Sequence, residues 1–117
     1  MTLRDRVNAI AGTMPGADLQ HPFDQAHDAW KVGGKMFTCI GAVNPGVSVK
    51  TPDVETAAML IDAGVGTKAP YFHRSWIHLG DEIDDEELSH RIAVSYDTVR
   101  AGLTKKVQAT LGQREDV

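Results

Sequence analysis

Apolar residues recur along this chain in two periods, and the switches between them mark its elements. Leu3, Val7, Ile10 and Ala11 fall at helical spacing. Thr2, followed three residues later by Asp5, gives a capping-box-like start, and Pro15-Gly16 ends the run. From about Leu19 to Thr51 the texture is that of strands, with Gly33-Gly34 as a two-residue hairpin signal between AWKV and KMFTCIGAV. Such a loop faces Val32 with Lys35 and Trp30 with Phe37. Strict alternation then predicts Trp30, Val32, Phe37, Cys39 and Gly41 on the core face, with Lys31, Thr38 and Ile40 on the other. At Asn44-Pro45-Gly46 two turns compete. A two-residue Pro-Gly turn suits proline but faces Val49 with Ala42, opposite Phe37 and Cys39. A three-residue loop pairs Val43 with Val47 and brings Val47 and Val49 to the face of Cys39, and face consistency favours it.

After Thr51-Pro52, DVETAAMLIDAG reads as a second helix, with Asp53 as N-cap, Ala57, Leu60 and Ile61 inward and Gly64 as the stop. YFHRSWIHL reads as strand, Ile77 and Leu79 on one face and Trp76 and His78 on the other. Asp84 or Asp85 caps a long last helix whose apolar line runs Leu88, Ile92, Tyr96, Val99, Leu103, with Lys105-Lys106 toward its negative end. The order of helix, three or four strands, helix, one or two strands and helix predicts an α+β fold: a two-layer sandwich of an antiparallel sheet with helices on one face. No repeat or linker divides the chain, so residues 1–117 are expected to form one domain.

Composition narrows the class. A hydrophobic fraction of 42% and a charged fraction of 24% are ordinary for a globular protein. One cysteine allows no internal disulfide, and no apolar stretch suits a signal peptide or membrane span, so the cytoplasm is the expected location. The net charge of -4 weighs against nucleic acid, yet it is unevenly spread. Six acids crowd into DEIDDEE (Asp81–Glu87), while five basic residues outnumber three acids between Ala29 and Gly80.

Most candidate motifs have a plainer explanation. GGK at Gly33–Lys35 lacks the phosphate-loop spacing and is a hairpin tip. His21, Asp24 and His27 match no zinc spacing, and His73 and His78, five apart, point to opposite faces of a regular strand, so no metal is expected. Cys39 lies in an apolar run with no catalytic partner signature and reads as a small buried hydrophobe. DEIDDEE lacks calcium-loop spacing and reads as helix capping within a solvated charge cluster. Lys31, Ser48, Lys50, Trp76 and His78 remain, all expected opposite the core. Basic groups around an indole form a platform on which a base stacks while lysine neutralises phosphate. Packing under a loop and ordinary solubilising lysines would account for the same residues.

KVGGKMF, VSVK, APYFHRSWIHL and EELSHRIAVSYDTVRAGLTKK, in that order after a short helix ending MPGA, resemble the MmcQ/YjbR family across nearly the whole chain. The resemblance implies a compact α+β fold similar to type III secretion chaperones, and a DNA-binding role with no catalytic residues to carry over. Lys35, Lys50, Pro70, Tyr71, Trp76 and Tyr96 match family-like positions. The expectation is a binding module for nucleic acid or another anionic ligand, without cofactor. The alternatives are a chaperone-like interaction protein that holds a protein partner or pairs as a homodimer, and a small enzyme whose site is unrecognised.

Overall fold

The computed structural model describes residues 2–21, 27–41 and 46–112. Its first helix, α1 (Leu3–Ala11), begins at Thr2, whose hydroxyl accepts from the Asp5 backbone N–H while the Asp5 carboxylate accepts from the Thr2 N–H. Two donors that a helix start leaves unpaired are thereby satisfied. The chain lays down β1 (Asp18–Gln20), β2 (Asp28–Val32), β3 (Lys35–Ile40) and β4 (Val47–Lys50), then crosses through α2 (Val54–Asp62). It adds β5 (Thr67–Lys68) and β6 (Trp76–Leu79) before α3 (Asp85–Ala101) and α4 (Lys105–Thr110). The strands pair antiparallel in the order β1-β2-β3-β4-β6-β5. Val7 and Ala11, Ala57 and Leu60, and Leu88, Ile92, Tyr96 and Val99 join Val47, Val49, Ile77 and Leu79 in one buried cluster. Three helices thus cover one face of the sheet, the predicted α+β sandwich.

The register departs from simple alternation at one point. Gly33 and Gly34, both at positive φ, form the two-residue tip, and Val32 faces Lys35 as expected. Lys31 then faces Met36, but Trp30 faces Thr38, so Phe37 and Thr38 together oppose Trp30 in a β-bulge. A regular strand could bury Phe37 or Ile40, since they differ by an odd number of positions; the bulged strand buries both. Phe37 meets Tyr96 of α3 edge-on, with ring centroids 5.3 Å apart. Thr38 and Ile40 therefore lie on the helix-covered side, contrary to expectation. Cys39, expected beside Phe37, turns to the other face, where it opposes Ala29 and Ser48. Across the next pair Thr38 faces Val49 and Cys39 faces Ser48, and the expected pairing of Val43 with Val47 lies outside the described residues. Gly41 lies beyond the strand, and residues 42–45 fall outside the described residues.

Three further expectations are corrected. Only Trp76–Leu79 of YFHRSWIHL is strand, because the chain turns through Tyr71 at φ 69. Ile61 is exposed, and the inward stripe of α2 is Ala57 and Leu60. The last helix stops at Gly102, and Thr104 caps a separate α4 by accepting from the Val107 N–H, so Lys105 and Lys106 open α4 instead of closing α3.

α1 is fastened to β2 by a buried carboxylate. Asp28 accepts from Arg4 at 2.6 and 2.7 Å and from Asn8 at 3.1 Å, and Asn8 accepts from the Trp30 indole at 2.8 Å. The Arg4 bonds, aided by Asn8 and opposed by burial, lower the pKa of Asp28 from 3.8 to about 2. A carboxyl whose folded pKa is depressed contributes stability above its unfolded pKa and loses it as pH falls through the folded one. Stability measured in urea should therefore fall between about pH 4 and pH 2 by roughly 2 kcal/mol, and Asp28→Asn should be less stable near neutrality but lack this step. Thr38 supplies a second test. Its buried Oγ1 has no hydrogen-bond partner among the described residues, so Thr38→Val, of matched shape, should raise stability by about 1 kcal/mol in the same titration. A loss of stability would show that the hydroxyl is satisfied.

Candidate functional site

Strand direction decides what each end of the sheet presents. β2, β4 and β5 run one way and β3 and β6 the other, so the last residues of the first group share an end with the first residues of the second. Lys31 is next to last in β2, Lys35 opens β3, Lys50 closes β4, Lys68 closes β5, and Arg74 precedes β6 by two residues. These five are the whole Lys and Arg complement between Ala29 and Gly80, and they gather at one end across four strand spacings, about 19 Å. Lys31, Lys35, Lys68 and Arg74 make no ion pair among the described residues. Of the acids at this end, Asp18 faces Lys31 across the β1–β2 ladder, and Asp53 is taken up in capping α2, accepting from the Thr56 N–H at 2.7 Å.

The opposite end is acidic. β6 delivers the chain into Asp81–Glu87, and Arg6 of α1 holds that segment, donating to Asp85 at 2.6 Å, to the Asp81 carbonyl at 3.3 Å and to the Ile83 carbonyl. Asp84 caps α3, accepting from the Glu87 N–H at 2.8 Å.

At the basic end, Ser75 organises the site from a buried position. Its carbonyl accepts from both the N–H and the hydroxyl of Thr51, each at 2.7 Å, which ties the approach to β6 to the exit of β4. Its hydroxyl accepts from the Lys50 ammonium at 2.9 Å and so directs its own proton to Nδ1 of His73, also at 2.9 Å. Beside this hub the rings of Phe72 and Trp76 stack, with centroids 4.5 Å apart and planes at 26°. Both rings line a cavity of about 330 Å³ against Ala58 and Ile61 of α2, with Lys68 and Arg74 also at its wall.

Only part of the predicted platform is brought together. Lys50 and Trp76 are direct cross-strand partners, as are Ser48 and His78, whereas Lys31 stands three strand spacings from Trp76, about 14 Å. Ser48 is only 5% exposed, and its hydroxyl lies 3.2 Å from Nδ1 of His78. His78 in turn packs against Gly46, at φ 122, where a Cβ would collide with the imidazole. The Ser48–His78 pair is a strut within the sheet; Lys31, Lys50 and Trp76 belong to the basic end. Cys39 is buried, and burial pushes its pKa up, which keeps it a thiol. His21 sits 3.1 Å from Asp28, and Asp24 lies outside the described residues. Among the described residues no three His, Cys, Asp or Glu gather as metal ligands, and no helix is long and apolar enough to cross a membrane.

The model of the YjbR family matches residues 12–98. The chain belongs to the YjbR family. No curated relative matches it in sequence. Among solved structures, a YjbR-type neighbour is the Deinococcus radiodurans protein DR2400, a DUF419 domain, with a TM-score of 0.80 and 20% identity over 94% of this chain and 88% of that one. That likeness concerns the fold. Within this YjbR domain, the functional candidates that alternation missed are Lys35, Lys68, Phe72, His73 and Arg74. The overlooked signal is that each of β2 to β5 carries a lysine at or next to the end that strand direction brings to the same side.

Ser75→Ala should cost about 1 kcal/mol in urea unfolding, the usual net value of a hydrogen bond. The Thr51 bonds to its carbonyl remain, so hydrogen exchange should quicken at residues 72–75 more than in β4. Unchanged exchange there would show that the turn is held by other contacts.

Proposed function

We propose that the chain is a non-catalytic binding module that holds single-stranded nucleic acid along the basic end of its sheet. The observation that carries this reading is the convergence of Lys31, Lys35, Lys50, Lys68 and Arg74 beside the Phe72–Trp76 stack. Cations spaced by strand separations suit a chain of phosphates, whose counterions they displace. An aromatic pair at the same end offers bases a surface on which to stack, and such stacking is open to bases free of a duplex. The DNA-binding role implied by the resemblance to the MmcQ/YjbR family agrees with this reading.

A second reading rests on a separate observation: Met59 is 60% exposed, and Ile61 on α2 and Tyr71 in the following turn are exposed too. That apolar surface suits a protein partner, and association through it would be nearly independent of salt.

Binding of a short oligodeoxynucleotide, followed by fluorescence anisotropy across a salt series, separates the two. Lys31→Ala with Lys50→Ala should weaken binding alike for all sequences and flatten the slope of log affinity against log salt by about 1.4. Trp76→Ala should cost roughly 1 to 3 kcal/mol of binding, with the unfolding midpoint checked first. A folded triple variant that binds as the wild type does would remove this end as the site.

A further inference from the structure

The cavity of about 330 Å³ lies at one corner of the basic end, between α2 and residues 68–76, and its walls differ in kind. Val54, Ala58 and Ile61 of α2 and the rings of Phe72 and Trp76 are apolar, no carboxylate among the described residues lines it, and Lys68 and Arg74 stand at it with exposed side chains. Neither cation pairs with a carboxylate among the described residues. His73 adds a donor: its Nδ1 accepts from the Ser75 N–H at 3.2 Å and from the Ser75 hydroxyl, so the neutral ring carries its proton on Nε2.

We infer that this cavity binds one nucleotide, with the base between α2 and the Phe72–Trp76 pair and a terminal phosphate at Lys68 and Arg74. The volume stands near the lower bound of small-molecule sites, about 300 Å³, which suits a single nucleotide and leaves no space for a second base. Inorganic phosphate alone would leave the apolar walls uncovered, and a neutral ring alone would leave two cations unmatched. A phosphomonoester carries about -1.5 to -2 charges near neutral pH, which balances Lys68 and Arg74 together. A free mononucleotide and the phosphorylated end of a strand present this same chemistry. The inference rests on the reading of the basic end as a phosphate-binding surface and narrows it to one pocket.

Calorimetric titration with adenosine 5′-monophosphate tests it, with adenosine and ribose 5-phosphate as controls. The nucleotide should bind, and each control should bind at least about fivefold more weakly, the factor set by the low end of base–aromatic stacking. Ala58→Trp places a ring in the cavity from an exposed position on α2 and should weaken the nucleotide by about tenfold or more. Lys68→Ala with Arg74→Ala alters two exposed side chains and should bring the nucleotide down to the level of adenosine, a readout that holds even if the tryptophan variant does not fold. A 5′-phosphorylated oligonucleotide that binds about tenfold tighter than its unphosphorylated form identifies the strand end as the source; equal binding, with the nucleotide still bound, identifies the free nucleotide. Absence of nucleotide binding to the wild type, or unaltered binding in both variants, overturns the inference, and oligonucleotide binding that persists then leaves the broader reading standing. Nucleotide binding without oligonucleotide binding does the reverse.

Discussion

The hydroxyl of Ser95, fully buried on α3, joins three parts of the fold. It donates to the Phe37 carbonyl at 2.6 Å and accepts from the Lys50 N–H at 2.9 Å. Both backbone groups lie where the β3–β4 ladder ends at the bulge, beyond the pairing of Thr38 with Val49. Left unpaired in the interior, each would cost about 1 to 3 kcal/mol. One side chain satisfies both. The seat of α3 on the sheet, the extra residue in β3 and the point at which Lys50 leaves β4 are therefore a single arrangement, and the basic end inherits its geometry from a residue buried beneath the sheet.

This explains which features could be read along the chain. Caps and apolar helical stripes are local, so Thr2, Asp53 and Asp84 mark their helices without help from the rest of the fold. The core positions of Phe37 and Val49 were equally legible from hydrophobicity. Their register was not, because the bulge satisfies a demand made by Tyr96 and Ser95 from a helix far along the sequence. β5, with two residues, is too short to show alternation. Residues 71–75 have the aromatic content of a strand, but the chain enters the left-handed region at Tyr71.

The candidate site was legible in the same uneven way. Alternation groups side chains by face, and by that rule Lys31, Lys50 and Trp76 belong together. Lys35 and Lys68 pair with Val32 and Ile77, residues of the opposite face, so they join the group only through a shared end. Ends depend on strand direction, which the order of strands fixes only after the sheet has formed. Ser48 and His78 satisfied the face rule but lie deeper in the sheet, where their mutual contact closes the surface.

The hold of Arg6 on the segment from Asp81 to Asp85 has an electrical consequence. By keeping acids at one pole while the lysines occupy the other, it gives the molecule two oppositely charged ends and a preferred approach. At physiological ionic strength, fields fade over about 8 Å, less than the molecule's shortest extent of 28 Å. A polyanion arriving at the lysine pole therefore experiences mainly that pole, and the formal charge of -4 acts mostly on whatever approaches from the other side.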